Sequence, residues 1–322
     1  MTNSSYRRLT SIIHLHGKGD VGCGEEVNWD ATLQERFRER GGHLPLAGEF
    51  TLESFSALLE GLELSPDPPP VDDWRDFRRW GFESAALDLA LRQNGLGMEE
   101  AFGLEARPVK FGVSFGVHEI GDVELRLAVH PNMHFKLDAT SDWNVELCKA
   151  LAATEAVDVI DFKGAYVGTP VDSAVDLGLY KRVLDAMPEV IIEDPHDDAE
   201  VLALLRERRA RIAWDAPIHS VERIRTMPIQ ANAMNIKPSR FGSLQGLLQA
   251  YESCSSDDLP MYGGGQFELG LGREQIQILA SLFHPEGPND VAPRGYHQLE
   301  SDEERPASPL QLVLARTGFR LS

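Results

Sequence analysis

The chain has 322 residues and a formal net charge of −20, with 42% hydrophobic and 25% charged residues, a composition that suits a globular protein of two domains or a barrel with an appendage. That charge sets the molecule against polyanions and anionic membrane surfaces, and no segment approaches the roughly 18 consecutive apolar residues of a membrane-spanning helix. Three scattered cysteines, Cys23, Cys148 and Cys254, form no CxxC pair, which argues against a disulfide framework or structural zinc; with no apolar leader over residues 1–20, the expectation is a reduced, cytoplasmic protein.

The first elements are short. Leu9–Leu15 is apolar and β-branched, residues 16–24 are rich in glycine, and Glu25-Glu26-Val27 follows. The pattern predicts a strand, a mobile loop and a second strand, with the loop acting as a flexible lid rather than a phosphate cradle, since it lacks a GKS or GKT ending. Ser65–Asp73 contains a proline cluster and reads as a connector. Phe82, Ala85, Ala86, Leu89 and Ala90 fall at helical spacing and predict a buried helix over Trp80–Arg92.

From Pro108 short apolar runs alternate with amphipathic stretches. The runs are Val109–Phe115, Met133–Asp138, Val157–Lys163, Val190–Pro195, Arg211–Pro217, Ala233–Pro238 and Pro260–Gly265; helical pieces such as Val145–Ala156, Ala199–Arg208 and Ser243–Tyr251 lie between them. Strands separated by helices imply a parallel sheet, and this many units in under 200 residues point to a TIM-type barrel. A doubly wound sheet ranks second, because no GxGxxG follows the first strand.

The predicted strands end in ionisable residues: Lys136 and Asp138, Asp161 and Lys163, Glu193, Asp215 and Lys237. Strand C-termini of such a barrel converge on one mouth. A single acid at a strand end is more often a helix cap, but three at the repeat spacing point to a shared site. Like charges there call for compensation, and a hard cation such as Mg²⁺ supplies it while leaving positions open for substrate oxygens. Flanking lysines then suit abstraction of a proton next to a carboxylate. Lys237, between apolar residues and Pro238, is the strongest candidate base. Lys163 and Asp138 read equally as a plain ion pair, Gly263–Gly265 as a tight strand end or a point of close substrate approach, and His284 as a loop or core histidine.

In their order these segments are similar to a known family. Residues 22–26, 82–90, Ile192-Glu193-Asp194-Pro195, residues 214–220, Asn235-Ile236-Lys237-Pro238-Ser239-Arg240-Phe241-Gly242 and residues 262–270 together resemble the enolase superfamily, in its muconate-lactonizing and o-succinylbenzoate-synthase-like branch. The resemblance implies an α/β fold: a modified TIM barrel, (β/α)7β, over residues 108–299, with an N-terminal α+β capping domain over residues 1–107 on which a tail of about residues 300–322 packs back. It implies Mg²⁺ held by Asp161, Glu193 and Asp215, with Lys237 as the base on one face. The opposite base of the family belongs to a Lys-x-Lys pair, here Lys136-Leu137-Asp138, so its second lysine is missing; Lys136 and Lys163 are the candidates to replace it. A rival register, with Asp138 as first ligand, skips the Lys-x-Lys strand and displaces the Lys237 match. The resulting expectation is a Mg²⁺-dependent lyase or isomerase acting on a small carboxylate, with a one-base dehydration of the o-succinylbenzoate-synthase type ahead of a two-base racemase or epimerase, or a cycloisomerase. A non-catalytic ligand-binding barrel and a Schiff-base aldolase are the alternatives from other classes. A homo-oligomer is compatible with such a barrel.

Overall fold

The structure is a computed structural model and describes residues 7–40, 44–65, 71, 73–169, 171–296 and 305–322. Most of the proline-rich connector and of the charged segment Ser301–Pro306 therefore lies outside the described residues. The N-terminal unit begins with an antiparallel hairpin, β1 (Ser11–Gly17) and β2 (Asp20–Glu26), followed by α1 (Ala31–Arg40), α2 (Leu52–Glu60) and the long α3 (Asp73–Gln93). A small core of Ile13, Phe55, Leu59, Leu64, Phe82 and Ala85 binds these pieces together.

The hairpin corrects the expected lid. Gly17 pairs with Asp20, and only Lys18 and Gly19 form the turn, at φ 50° and 90°. Positive φ at both central residues gives the turn whose twist matches the strands. Gly22 and Gly24 are strand residues pressed against α3: a Cβ on Gly22 would strike the Ala85 carbonyl, and one on Gly24 the Gly81 carbonyl. Those glycines serve close packing, so residues 16–24 form an ordered hairpin rather than a mobile loop.

After α4 (Met98–Phe102) come β3 (Gly112–Gly116), α5 (Gly121–Val129), β4 (His134–Asp138), α6 (Val145–Ala153), β5 (Val157–Asp161), α7 (Leu177–Ala186), β6 (Ile191–Glu193) and α8 (Ala199–Arg208). They are followed by β7 (Arg211–Trp214), α9 (Val221–Arg225), β8 (Ala233–Ile236), α10 (Pro238–Phe241), α11 (Leu244–Ser256), β9 (Met261–Gly263) and α12 (Leu271–Phe283). Strands β3 to β9 form one parallel sheet in sequence order. Several helices start on a side-chain cap: Asn144, Asp176, Asp198, Ser220 and Ser243 each accept a backbone N–H from the first turn, satisfying donors the helix leaves orphaned.

The sheet curls, and a short segment bridges its two edges. Asn289 pairs with Phe111 beside β3, and Asp290 with Gly264 beside β9. The Asn289 side chain fastens this closure: its Oδ1 accepts from Gly263 N at 2.6 Å, and its Nδ2 donates to the carbonyls of Lys110, His284 and Gly287. Inside the curl Val159, Ile191, Ala213, Ala233 and Tyr262 form a buried layer. The larger core fills the space between sheet and helices, with Trp143, Trp214 and Tyr180 almost fully buried in it. The chain then returns: Leu310 pairs with Val109, Gly318 with Gly97, and Arg320 reaches Asp88 on α3.

Candidate active site

Strand register brings the ionisable residues together. Asp138, Asp161 and Glu193 are direct neighbours on β4, β5 and β6. Glu193 is level with Ala213, so Asp215 stands two residues higher on the same inward-facing set; Ala213 is level with Ala233, which puts Lys237 four residues further along. The acids therefore sit just above the apolar layer at the C-terminal ends of the strands, where barrel sites form. Asp161, Glu193, Asp194 and Asp215 are fully buried, and Lys136 and Lys237 nearly so.

Asp138, Asp161, Glu193 and Asp215 each face a cation of this chain. Lys136 Nζ donates to Glu193 Oε1 and lies 3.5 Å from Asp161 Oδ2. Lys163 Nζ is 2.5 Å from Asp161 Oδ2 and 2.9 Å from Asp138 Oδ1. Lys237 Nζ donates to Asp215 Oδ2 at 2.9 Å, and Arg240 forks onto both oxygens of Asp215. Asp194 is held differently: its two oxygens accept the backbone N–H groups of Asp215 and Ala216, each at 2.8 Å.

Proton affinities follow from these contacts. Burial works against the Lys136 ammonium, but Glu193 and Asp161 outweigh it and hold the group well above the ordinary lysine range. The same contest, with Asp161 and Asp138 as partners, raises Lys163. Lys237 moves the other way: burial lowers it, Asp215 restores only part, and the charges of Arg240 and Lys136 lower it further. Among the carboxyls, burial is the largest influence throughout. Arg240 and Lys237 overcome it at Asp215, which is held far below the usual range, and Lys163 and Lys136 do so at Asp161. Glu193 and Asp194 are pushed up, with neighbouring carboxylates adding to burial.

Several participants were not singled out from sequence. Arg240 lies one turn beyond Lys237, on the short α10 that Pro238 opens. Tyr166 donates to Asp215 Oδ2 at 3.2 Å and accepts from Arg240 at 3.0 Å. Tyr262 donates to Glu193 Oε2, and Asn235 Nδ2 approaches the same oxygen at 3.4 Å. Strand alternation carried a signal for Asn235, two residues before Lys237 and so on the same face; nothing in the sequence marked Tyr166. His284 sits away from these acids, buried beneath Tyr251 with its Nδ1 2.7 Å from Asn289 Oδ1.

Among the described residues no three Asp, Glu, His or Cys side chains converge closely enough to hold a metal ion as they stand. The donor set nevertheless fits a hard divalent cation. It consists of buried carboxylate oxygens from adjacent strand ends. The Lys136 ammonium between Glu193 and Asp161 shows that a positive charge is accommodated among them, and burial, with neighbouring carboxylates adding to it, pushes the Glu193 and Asp194 carboxyls up.

The sequence relatives, together with the fold, give the class: an enzyme of the enolase superfamily, and a divergent member of it. Within that class the chain belongs to the family described as "Domain of unknown function (DUF8230)", whose C-terminal domain matches residues 105–298 and whose N-terminal domain matches residues 1–101. The chain is 29% identical over 311 residues to an N-succinylamino acid racemase of Thermus thermophilus, covering 89% of this chain and 79% of that protein. It is 26% identical over 222 residues to an o-succinylbenzoate synthase of Bacillus subtilis, covering 66% of this chain and 58%, less than two thirds, of that protein. Solved structures of similar fold include a muconate lactonizing enzyme from Klebsiella pneumoniae, at TM-score 0.71 and 17% identity over 97% of this chain and 91% of that one. Another is an enolase superfamily member from Listeria innocua, at TM-score 0.68 and 20% identity over 88% and 78%. Among the described residues no helix is long and apolar enough to cross a membrane.

Proposed function

We propose that this protein is a Mg²⁺-dependent lyase or isomerase that removes the α-proton of a small carboxylate substrate, with Lys237 as the base. The observation that carries the reading is the contrast among the three lysines. Lys237 alone of them has its proton affinity lowered, whereas Lys136 and Lys163 are held protonated by their carboxylates. A base must be able to give up its own proton before it takes another. One competent lysine favours a one-base reaction, a dehydration in which the departing group leaves from the face on which the proton was taken. The similarity to an o-succinylbenzoate synthase supports that choice.

Asp161, Glu193 and Asp215 would hold the cation. When bound, it supplies positive charge to the substrate carboxylate as the α-carbon loses its proton. Asp215, itself gripped by Arg240, fixes Lys237 from one side, and Gly264 lets backbone pass close to it: a Cβ there would come within 2.8 Å of Lys237 Cε. Lys136, held between Glu193 and Asp161, would anchor the carboxylates.

A racemase is the second reading. Lys163, with a side chain 22% exposed, enters the mouth from β5, across the acid row from Lys237, and the similarity to an N-succinylamino acid racemase supports it. The test is exchange of the α-proton in D₂O, followed by proton NMR on a panel of carboxylates that includes N-succinylamino acids. Lys237→Ala is expected to abolish exchange in every substrate the wild type handles. Exchange of both enantiomers, or of an achiral substrate, retained in that variant removes Lys237 from the mechanism. Racemisation that Lys163→Ala stops, with exchange of one enantiomer left intact, decides for the two-base reading.

A further inference from the structure

We propose that the Lys163 ammonium is a built-in competitor for the cation at Asp161, and that Asp138 is the carboxylate onto which it withdraws when the cation binds. The inference rests on the reading above that Asp161, Glu193 and Asp215 form a metal centre.

Asp161 is held on both oxygens by one residue. Its Oδ1 accepts the Lys163 backbone N–H at 2.9 Å, and its Oδ2 receives the Lys163 ammonium at 2.5 Å. The side chain is folded back over a carboxylate only two positions earlier, from a backbone in the left-handed region at φ 56°. A divalent cation on Asp161 Oδ2 and this ammonium cannot share that oxygen without strong like-charge repulsion. The backbone N–H on Oδ1 is neutral and need not move.

Lys163 also has somewhere to go. Its Nζ is already 2.9 Å from Asp138 Oδ1. Asp138 is level with Asp161 on the adjacent strand, but its side chain is 35% exposed where that of Asp161 is fully buried. A small swing therefore moves the ammonium outward to a partner that is not one of the three proposed ligands. Lys136 differs in being buried among Glu193 and Asp161, with Asp290 at the edge of contact, 4.0 Å away. The pair also accounts for the departure at position 138. The family resemblance expects a lysine there, yet the carboxylate is the complement of an ammonium that arrives from the neighbouring strand.

The experiment is calorimetric titration of MgCl₂ into the full chain, at one pH and ionic strength, for the wild type, Lys163→Gln, Lys163→Arg, Asp138→Asn, Asp161→Asn and the double variant Lys163→Gln/Asp161→Asn. Removing the competing charge is expected to tighten Mg²⁺ binding by about tenfold or more. Lys163→Arg, which keeps the charge, is expected to stay near wild type, and Asp138→Asn to bind several-fold more weakly, because the ammonium has lost its alternative partner. Thermal melts without Mg²⁺ establish that each variant is folded, with Lys163→Met replacing Lys163→Gln if the latter is not. Unchanged or weaker binding in the neutral Lys163 variant overturns the inference. If the wild type binds and Asp161→Asn does not, that failure leaves the metal centre standing. If Asp161→Asn leaves affinity unaltered in both backgrounds, or no variant binds, the metal centre and the inference fall together.

Discussion

Glu193 shows how much of the site's geometry is set by single side chains. Its Oε1 receives Lys136, and its Oε2 receives the Tyr262 hydroxyl and, at longer range, Asn235. Tyr262 belongs to two layers at once: its ring packs with Val159, Ile191, Ala213 and Ala233, while its hydroxyl reaches the acids above. Tyr262→Phe keeps the ring and deletes the hydroxyl, leaving a fully buried carboxyl with one donor fewer. Hydrogen bonds to buried, ionisable acceptors are worth about 1–3 kcal/mol each, so the variant is expected to unfold at lower urea concentration by about that free energy, with an unchanged dependence on denaturant. No change in the midpoint would show that Lys136 and Asn235 suffice to hold Glu193. The individual acids and lysines were visible in the sequence because each ends an apolar run. Their pairings were not, because they depend on register. The ladder shifts between Phe135 and Lys136, and that shift decides which residues of β4 and β5 stand beside each other. Spacing alone leaves Lys136 and Lys163 interchangeable, whereas burial separates the enclosed Lys136 from the partly exposed Lys163.

At the scale of elements, the barrel strands were legible because parallel strands buried on both faces read as apolar runs, and the helices because amphipathic spacing and polar caps mark them. The hairpin was misread because Gly22 and Gly24, chosen for contact with α3, look like loop residues when the helix is out of sight. The closure at Asn289–Asp290 carries no apolar run at all; two single bridges and one asparagine side chain make it. His284 is tied to that asparagine and gives the closure a pH dependence. Burial lowers its imidazolium from 6.5 to about 4, although the bond to Asn289 opposes the shift. A histidine depressed on folding favours the native state above pH 6.5. As pH falls, the unfolded chain takes up the proton first, so stability is lost from there down toward about 4. Between pH 7.5 and 5 this amounts to about 2 kcal/mol for a shift of that size. Urea unfolding of the wild type and His284→Gln at both pH values isolates the contribution: the wild type is expected to lose about 2 kcal/mol more than the variant. Equal losses would mean that His284 accepts its proton in place.

Across the whole molecule, the excess of acid links the site to stability. The chain is tied across its length by Arg320 on the buried Asp88, which also accepts the backbone N–H groups of Cys23 and Phe319, and by Glu25, whose carboxylate accepts from Leu269, Gly270 and Gly272 at the start of α12. Both contacts span N- and C-terminal parts of the sequence, so a ligand that steadies the barrel mouth also steadies the hairpin clasped to it. A formal charge of −20 means that any salt relieves some self-repulsion, and a stabilising effect of Mg²⁺ has to be separated from screening. Screening follows ionic strength alone; binding at the proposed centre of Asp161, Glu193 and Asp215 would add RT ln(1 + c/Kd) at a free Mg²⁺ concentration c, which grows once c passes the dissociation constant. At a hundredfold excess over that constant the specific part is about 2.7 kcal/mol, a rise of about 5 °C in the melting temperature of a chain this long. The expected result is a rise with MgCl₂ that sets in near the dissociation constant and continues at about 1.4 kcal/mol per tenfold increase in free Mg²⁺, reversed by EDTA, above the level reached with NaCl at matched ionic strength. In Glu193→Gln the excess over NaCl is expected to vanish while the NaCl response remains. A wild type that responds identically to the two salts would leave the acid row as a purely internal ion-pair network, with Lys136, Lys163, Lys237 and Arg240 supplying all of its compensation.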